Sequence, residues 1–311
     1  MARRRWSVLV GAAVVVAMLS APWVATAAPA PAQAASTQRS AAPPPNPIDP
    51  PPPGSNDWSC RPGRAHPNPV VLVHGLAANQ ADNWGYLAPI LAKQGYCVFS
   101  LTYGRNPLAP PPLSQVGGLE PMERSAQELK AFVGRVRGAT GAGKVDIVGH
   151  SEGSLMPNYY VKFLGGDEVV DRYVGMTPLW DGTRLLGASD LDTIARHLGI
   201  APVYGAALAP LCASCREFLR GSPFLQKMSS GGTPAVRGVD YTMVMTRNDE
   251  LVQPYTSGEL EGAHNVVLQD LCPADASEHV EVAFDPVNAQ VVLNALDPGH
   301  ARPVHCTGPP R

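Results

Sequence analysis

Short runs of β-branched and other apolar residues recur along the chain, at 70–73, 97–101, 145–148, 173–176, 241–246 and 266–268. Runs of this length without polar alternation predict strands buried on both faces. Between them the apolar spacing changes to the helical period. Residues 84–94 read as a helix closed by Gly95, and residues 122 to about 136 place Met122, Ala126, Leu129, Phe132, Val133 and Val136 on one stripe. Strands alternating with helices imply an α/β architecture, a mostly parallel central sheet with both faces covered. Residues 177–237 break the rhythm. They hold no clear strand but two helical patterns, one capped by Ser189 and running through Asp190, Ile194 and Leu198, the other around 216–228. This interval is expected to form a helical cap over the sheet edge.

The ends of the chain follow other patterns. Arg3, Arg4 and Arg5 precede an apolar stretch to about Ser20 and then Ala25-Thr26-Ala27, the order of a secretory signal peptide. Residues 1–27 therefore predict export, with a mature chain beginning near Ala28. The apolar run is too short, and too soon interrupted by Pro22, for a membrane span. Residues 28–56 are dominated by Pro, Ala and Ser, a composition that cannot bury a core and reads as an extended spacer. Residues 57–311 are left as one catalytic-sized domain. The formal charge of −2 becomes more negative by three when the signal arginines are lost, which argues against nucleic acid as a partner. A monomer is expected. The six cysteines, Cys60, Cys97, Cys212, Cys215, Cys272 and Cys306, are even in number and in an exported chain point to disulfides. Cys212-Ala-Ser-Cys215 has redox or half-zinc spacing, but no second ligand pair accompanies it, so a structural loop is the better reading.

The chemistry is concentrated after the run 145–148, in Gly149-His150-Ser151-Glu152-Gly153. This G-x-S-x-G pattern marks a nucleophile elbow, a sharp strand-to-helix turn that lifts the serine over the sheet edge. Side chains two positions either side of Ser151 would collide, so Gly149 and Gly153 occupy them. A serine hydroxyl needs a base to take its proton, and a carboxylate to orient that base. In chains built on such an elbow the order is serine, acid, histidine. Asp249 follows the strand 241–246 and is the expected acid; Glu250 beside it is expected to face solvent, and Asp240 lies at the wrong end of the strand. His279 follows the last strand and is the expected base, whereas His264 precedes that strand. The run 70–73 leads into His74-Gly75-Leu76, where the early strand-to-helix loop supplies an oxyanion amide. The backbone N–H groups of Leu76 and Glu152 are the expected donors. The cap residues Leu179, Trp180, Leu185, Leu186, Phe218 and Phe224 could line an acyl site or simply pack.

These residues resemble the secreted bacterial class 2 lipases of the α/β-hydrolase superfamily. The likeness runs through Asn56-Asp57-Trp58-Ser59-Cys60, Pro69-Val70-Val71-Leu72-Val73-His74-Gly75, Gly95-Tyr96-Cys97-Val98-Phe99, the Ser151 elbow, Thr246-Arg247-Asn248-Asp249 and Glu278-His279-Val280 to Asp285-Pro286-Val287. It implies an α/β-hydrolase fold and hydrolysis of acyl glycerols and other carboxylic esters at a lipid–water interface. It implies no metal and no organic cofactor, and a triad of Ser151, Asp249 and His279. It also implies the disulfides Cys60–Cys97, Cys212–Cys215 and Cys272–Cys306. The sequence departs from the family where glutamine and a second glycine commonly follow the nucleophile, here Glu152 and Ser154. Unless it turns toward the helix N-terminus or solvent, an ionised Glu152 would oppose the developing oxyanion and slow the reaction. Two other readings remain at this point: an acyltransferase using the same triad, and a non-catalytic secreted binding protein on a hydrolase scaffold.

Overall fold

The computed structural model describes residues 49–111, 113–183 and 211–306. The expected signal segment, most of the spacer, and the helix begun at Ser189 lie outside them. Six strands form one sheet, β1 (Val70–Val73), β2 (Val98–Leu101), β3 (Val145–His150), β4 (Val170–Met176), β5 (Asp240–Met245) and β6 (His264–Val267). All neighbouring pairs are parallel and the spatial order is β2-β1-β3-β4-β5-β6. The order reverses at β1, so the chain leaves β1 toward one side and β3 toward the other. The crevice outside the carboxyl ends of these two strands is where a sheet of this kind holds its ligands.

Every residue of β1, β2 and β3 is buried, which is why those runs lack polar alternation. Val71, Val73, Phe99 and Ile147 face α3 (Met122–Thr140) and α4 (Glu152–Phe163), packing on Leu129, Phe132 and Leu155. Val70, Leu72 and Val148 face the other layer, built from α1 (Gln80–Trp84), α2 (Leu87–Lys93) and α7 (Pro286–Leu296). The shorter α5 (Pro223–Met228) and α6 (Leu268–Leu271) complete the helices among the described residues. None of the described helices is long and apolar enough to cross a membrane.

The expected helix 84–94 is two helices, broken at Gly85 and Tyr86. Helix α1 starts at Asn79, whose side chain accepts the amides of Ala81 and Asp82 at 2.9 Å. The pattern around 216–228 resolves into a turn of 3-10 helix at Ser214–Arg216 and α5, capped by Ser222. The structure contains the disulfides Cys60–Cys97, Cys212–Cys215 and Cys272–Cys306, the last tying the C-terminal segment to the end of α6.

Candidate active site

Strand β3 ends at His150 and α4 begins at Glu152, so Ser151 alone makes the turn. Its backbone sits at φ +55°, ψ −119°, a conformation that a non-glycine residue holds only when its surroundings impose it. Two flanking glycines make the turn possible. A methyl group on Gly149 would lie 1.7 Å from the Gly153 carbonyl oxygen, and one on Gly153 would lie 2.0 Å from the Val73 carbonyl oxygen. The Ser151 amide is pinned by donation to Met176 O at 2.9 Å.

His279 Nε2 is 2.8 Å from Ser151 Oγ. On the other side of the ring, Nδ1 is 2.9 Å from both carboxylate oxygens of Asp249. Asp249 can only accept when ionised, so Nδ1 carries the proton, and the Nε2 lone pair receives the Ser151 hydroxyl. Asp249 Oδ1 also accepts the amides of Leu251 at 3.0 Å and Val252 at 2.7 Å, which fixes the carboxylate in the loop after β5. Asp249 and His279 are each 3% exposed. Burial works to lower the His279 pKa. The charge and hydrogen bond of Asp249, reinforced by Glu250 and Glu278, outweigh it and hold the imidazole above its usual 6.5.

A family description, lipase (class 2), matches residues 67–292. The chain belongs to the class 2 lipase family. Two curated triacylglycerol lipases, from Pseudarthrobacter phenanthrenivorans and Burkholderia plantarii, are each 34% identical to it over 96 residues, 29% of this chain. The matched segment spans 27% and 24% of those proteins. Among solved structures, Aspergillus fumigatus lipase B aligns with a TM-score of 0.60 at 19% identity, over 82% of this chain and 57% of that one. Mature Bacillus licheniformis lipase BlEst2 aligns at 0.52 and 15% identity, over 76% of this chain and 94% of its own. These likenesses show the fold, that of the α/β-hydrolases.

In this class 2 lipase family member, Ser151 and His279 open onto a cavity of about 290 Å³ whose walls include Leu179, Phe218, Leu251, Val252, Val280 and Phe284. Of the cap residues considered for an acyl site, Leu179 and Phe218 are therefore in the wall. Trp180 and Phe224 are packed instead, Trp180 Nε1 donating to Met243 Sδ at 3.3 Å and Phe224 stacking on Tyr159. Leu185 and Leu186 lie outside the described residues. Gly75 and Leu76 line the same cavity. Their loop is laced to residues 117–118 by Ala77 N donating to Gly117 O at 2.9 Å and Gly117 N donating to Ala78 O at 2.7 Å.

Two expectations are corrected. Glu250 does not face solvent: it turns back to accept the His279 amide at 3.3 Å through Oε2, because that amide needs an acceptor in a buried loop. The Glu152 carboxyl does not lie beside the reacting atoms; it is fully buried against Gly118, away from the cavity wall. Nor does it turn to solvent.

The sequence pattern missed a further pair. His150 Nε2 donates to the His279 carbonyl at 2.9 Å, while Nδ1 lies 3.0 Å from Asn83 Oδ1. That same Asn83 oxygen accepts the Gly75 amide at 3.0 Å, and the bond from His150 Nε2 ties the end of β3 to the histidine loop. Burial, helped by the nearby His279, brings the His150 pKa down to about 3. His264 is exposed at the start of β6, the opposite end of the sheet. His197 is outside the described residues.

Proposed function

We propose that this chain is a secreted carboxylic ester hydrolase, a lipase or esterase for acyl glycerols and related esters. The observation that carries the reading is the line from Ser151 Oγ through His279 to Asp249, set under an apolar cavity. His279 takes the Ser151 proton as the oxygen attacks the ester carbonyl, and returns it to the leaving alkoxide, which departs as the alcohol. Water, deprotonated by the same nitrogen, then attacks the acyl-enzyme and releases the acid. Asp249 holds the tautomer and stabilises the imidazolium. The Leu76 and Glu152 amides serve as donors to the oxyanion, Glu152 from the first position of α4, where helix amides are free to receive an anion. The lipase names of the curated relatives, the signal-like residues 1–27 and the three disulfides support the reading and the export.

The test combines labelling and substrate range. A fluorophosphonate probe should modify wild type at Ser151 and leave Ser151→Ala unmodified. A chain-length series of soluble esters, run beside emulsified triglyceride, assigns lipase or esterase. Absence of both labelling and turnover would remove the hydrolase reading.

A further inference from the structure

Glu152 Oε2 lies so close to the 117–118 segment that a methyl group on Gly118 would be 3.0 Å from it and 3.1 Å from Leu76 Cα. The polar side chains that face this carboxyl are the hydroxyls of Tyr103 and Ser214. Both have already given their protons away. Tyr103 Oη donates to His74 O at 2.9 Å, and Ser214 Oγ donates to Gly118 O. Any hydrogen bond from these hydroxyls would lower the Glu152 pKa, yet neither carboxyl oxygen has a hydrogen-bond partner among the described residues. A buried carboxyl without such a bond is held at lower cost as the neutral acid, and a glutamine amide is neutral in the same shape.

The surrounding charges favour the same form. Glu217, after the Cys212–Cys215 turn, faces Glu152 from the cap side and accepts the Met122 amide at 2.7 Å. Glu128 of α3 accepts the Gly104 amide at 3.2 Å beside Tyr103. His74, stacked on Tyr103, is kept neutral by burial, with a pKa of about 4. Arg105, the nearby cation, is paired with Asp49. Burial first, and the Glu217 charge second, push the Glu152 carboxyl well above the usual carboxylate range.

The segment that Glu152 touches has two other attachments. It carries the loop of Leu76 through the paired bonds between Gly117 and Ala77 and Ala78, and it carries the disulfide-closed turn through Ala213 N donating to Leu119 O at 2.8 Å. From this arrangement we infer that Glu152 is a positioning residue in its protonated form, joining the nucleophile helix to the segment that holds the Leu76 loop, and that its ionisation unseats that loop. The last part rests on the assignment of Leu76 and Glu152 as oxyanion donors.

The sign of the pH effect follows from proton binding. The unfolded chain releases this proton near 4.5 while the native protein keeps it, so native stability falls as pH rises from there until Glu152 ionises in the native state. Glu152→Gln abolishes that slope. Relative to wild type, the folded-to-unfolded ratio of Glu152→Gln should rise about tenfold per pH unit across the window. On a soluble short-chain ester, kcat of wild type should fall on the alkaline side with KM little changed, and Glu152→Gln should lack that fall. Carbon-13 labelling of the glutamates in wild type provides a measurement that needs no variant: one carboxyl resonance should stay at its protonated position while the exposed glutamates titrate. A pH-independent stability difference, or every labelled glutamate titrating in the ordinary range, overturns the inference. A stability slope without the kcat difference overturns its link to the Leu76 loop. Fluorophosphonate labelling of Ser151 would persist in either case, so failure here is distinguishable from failure of the hydrolase reading.

Discussion

His279 must be neutral at Nε2 to receive the Ser151 proton, so in the proposed mechanism activity rises with pH as the imidazole loses its charge. The negative charges of Asp249, Glu250 and Glu278 hold that event above the ordinary histidine value of 6.5. The acid limb of the kcat/KM profile should therefore lie above it. Asp249→Asn should move the limb down and lower kcat on the order of 10⁴-fold, because the amide no longer selects the Nδ1–H tautomer. Glu250→Gln keeps an oxygen for the His279 amide and removes one charge, so its limb should move to lower pH with a much smaller loss of kcat; pH–rate profiles of both variants check this. At this scale the positions of Ser151, Asp249 and His279 were legible as residue types in a required chain order. Glu250 and His150 were not, since each acts through a backbone group of a loop remote in sequence; nor was Asn83, whose side chain accepts the Gly75 amide in the loop before it.

Helix α1 shows why periodicity stops short. Its residues Gln80 and Asn83 are buried polar groups, so a hydrophobic stripe begins only at Trp84. Gln80 is held by donation from its amide to Thr102 Oγ1 at 2.9 Å and from Nε2 to Asp49 O at 3.0 Å, contacts with no local signature. By contrast, α7 opens on a local signature, Asp285-Pro286. The Asp285 carboxylate accepts the amides of Val287 at 2.9 Å and Asn288 at 3.2 Å, and proline occupies the first turn, where no amide is needed. Asp285→Ala should cost about 1 kcal/mol of unfolding free energy, read by urea denaturation. Gly153→Ala is a harsher change at the elbow. With the Val73 carbonyl oxygen 2.0 Å from the added methyl group, the variant should fail to accumulate as folded protein, as tested by soluble expression and circular dichroism.

Across the molecule, Cys60–Cys97 joins the segment before β1 to the residue preceding β2, over a sequence separation of 37. Replacing both cysteines by alanine should lower the unfolding free energy by about 2–4 kcal/mol, measured by denaturant titration under oxidising conditions, since the bond limits the freedom of the unfolded chain. The sequence by itself determined the parallel α/β class, because fully apolar short runs separated by amphipathic helices can be satisfied only by a sheet covered on both faces. It also determined the elbow, because glycine either side of a serine answers a local steric demand. The strand order was decided by tertiary structure. So was the direction of the Glu152 side chain: a residue number places it next to Ser151, but only the packed surroundings of Gly118, Tyr103 and Ser214 turn it inward, where burial and the Glu217 charge favour the proton over the charge.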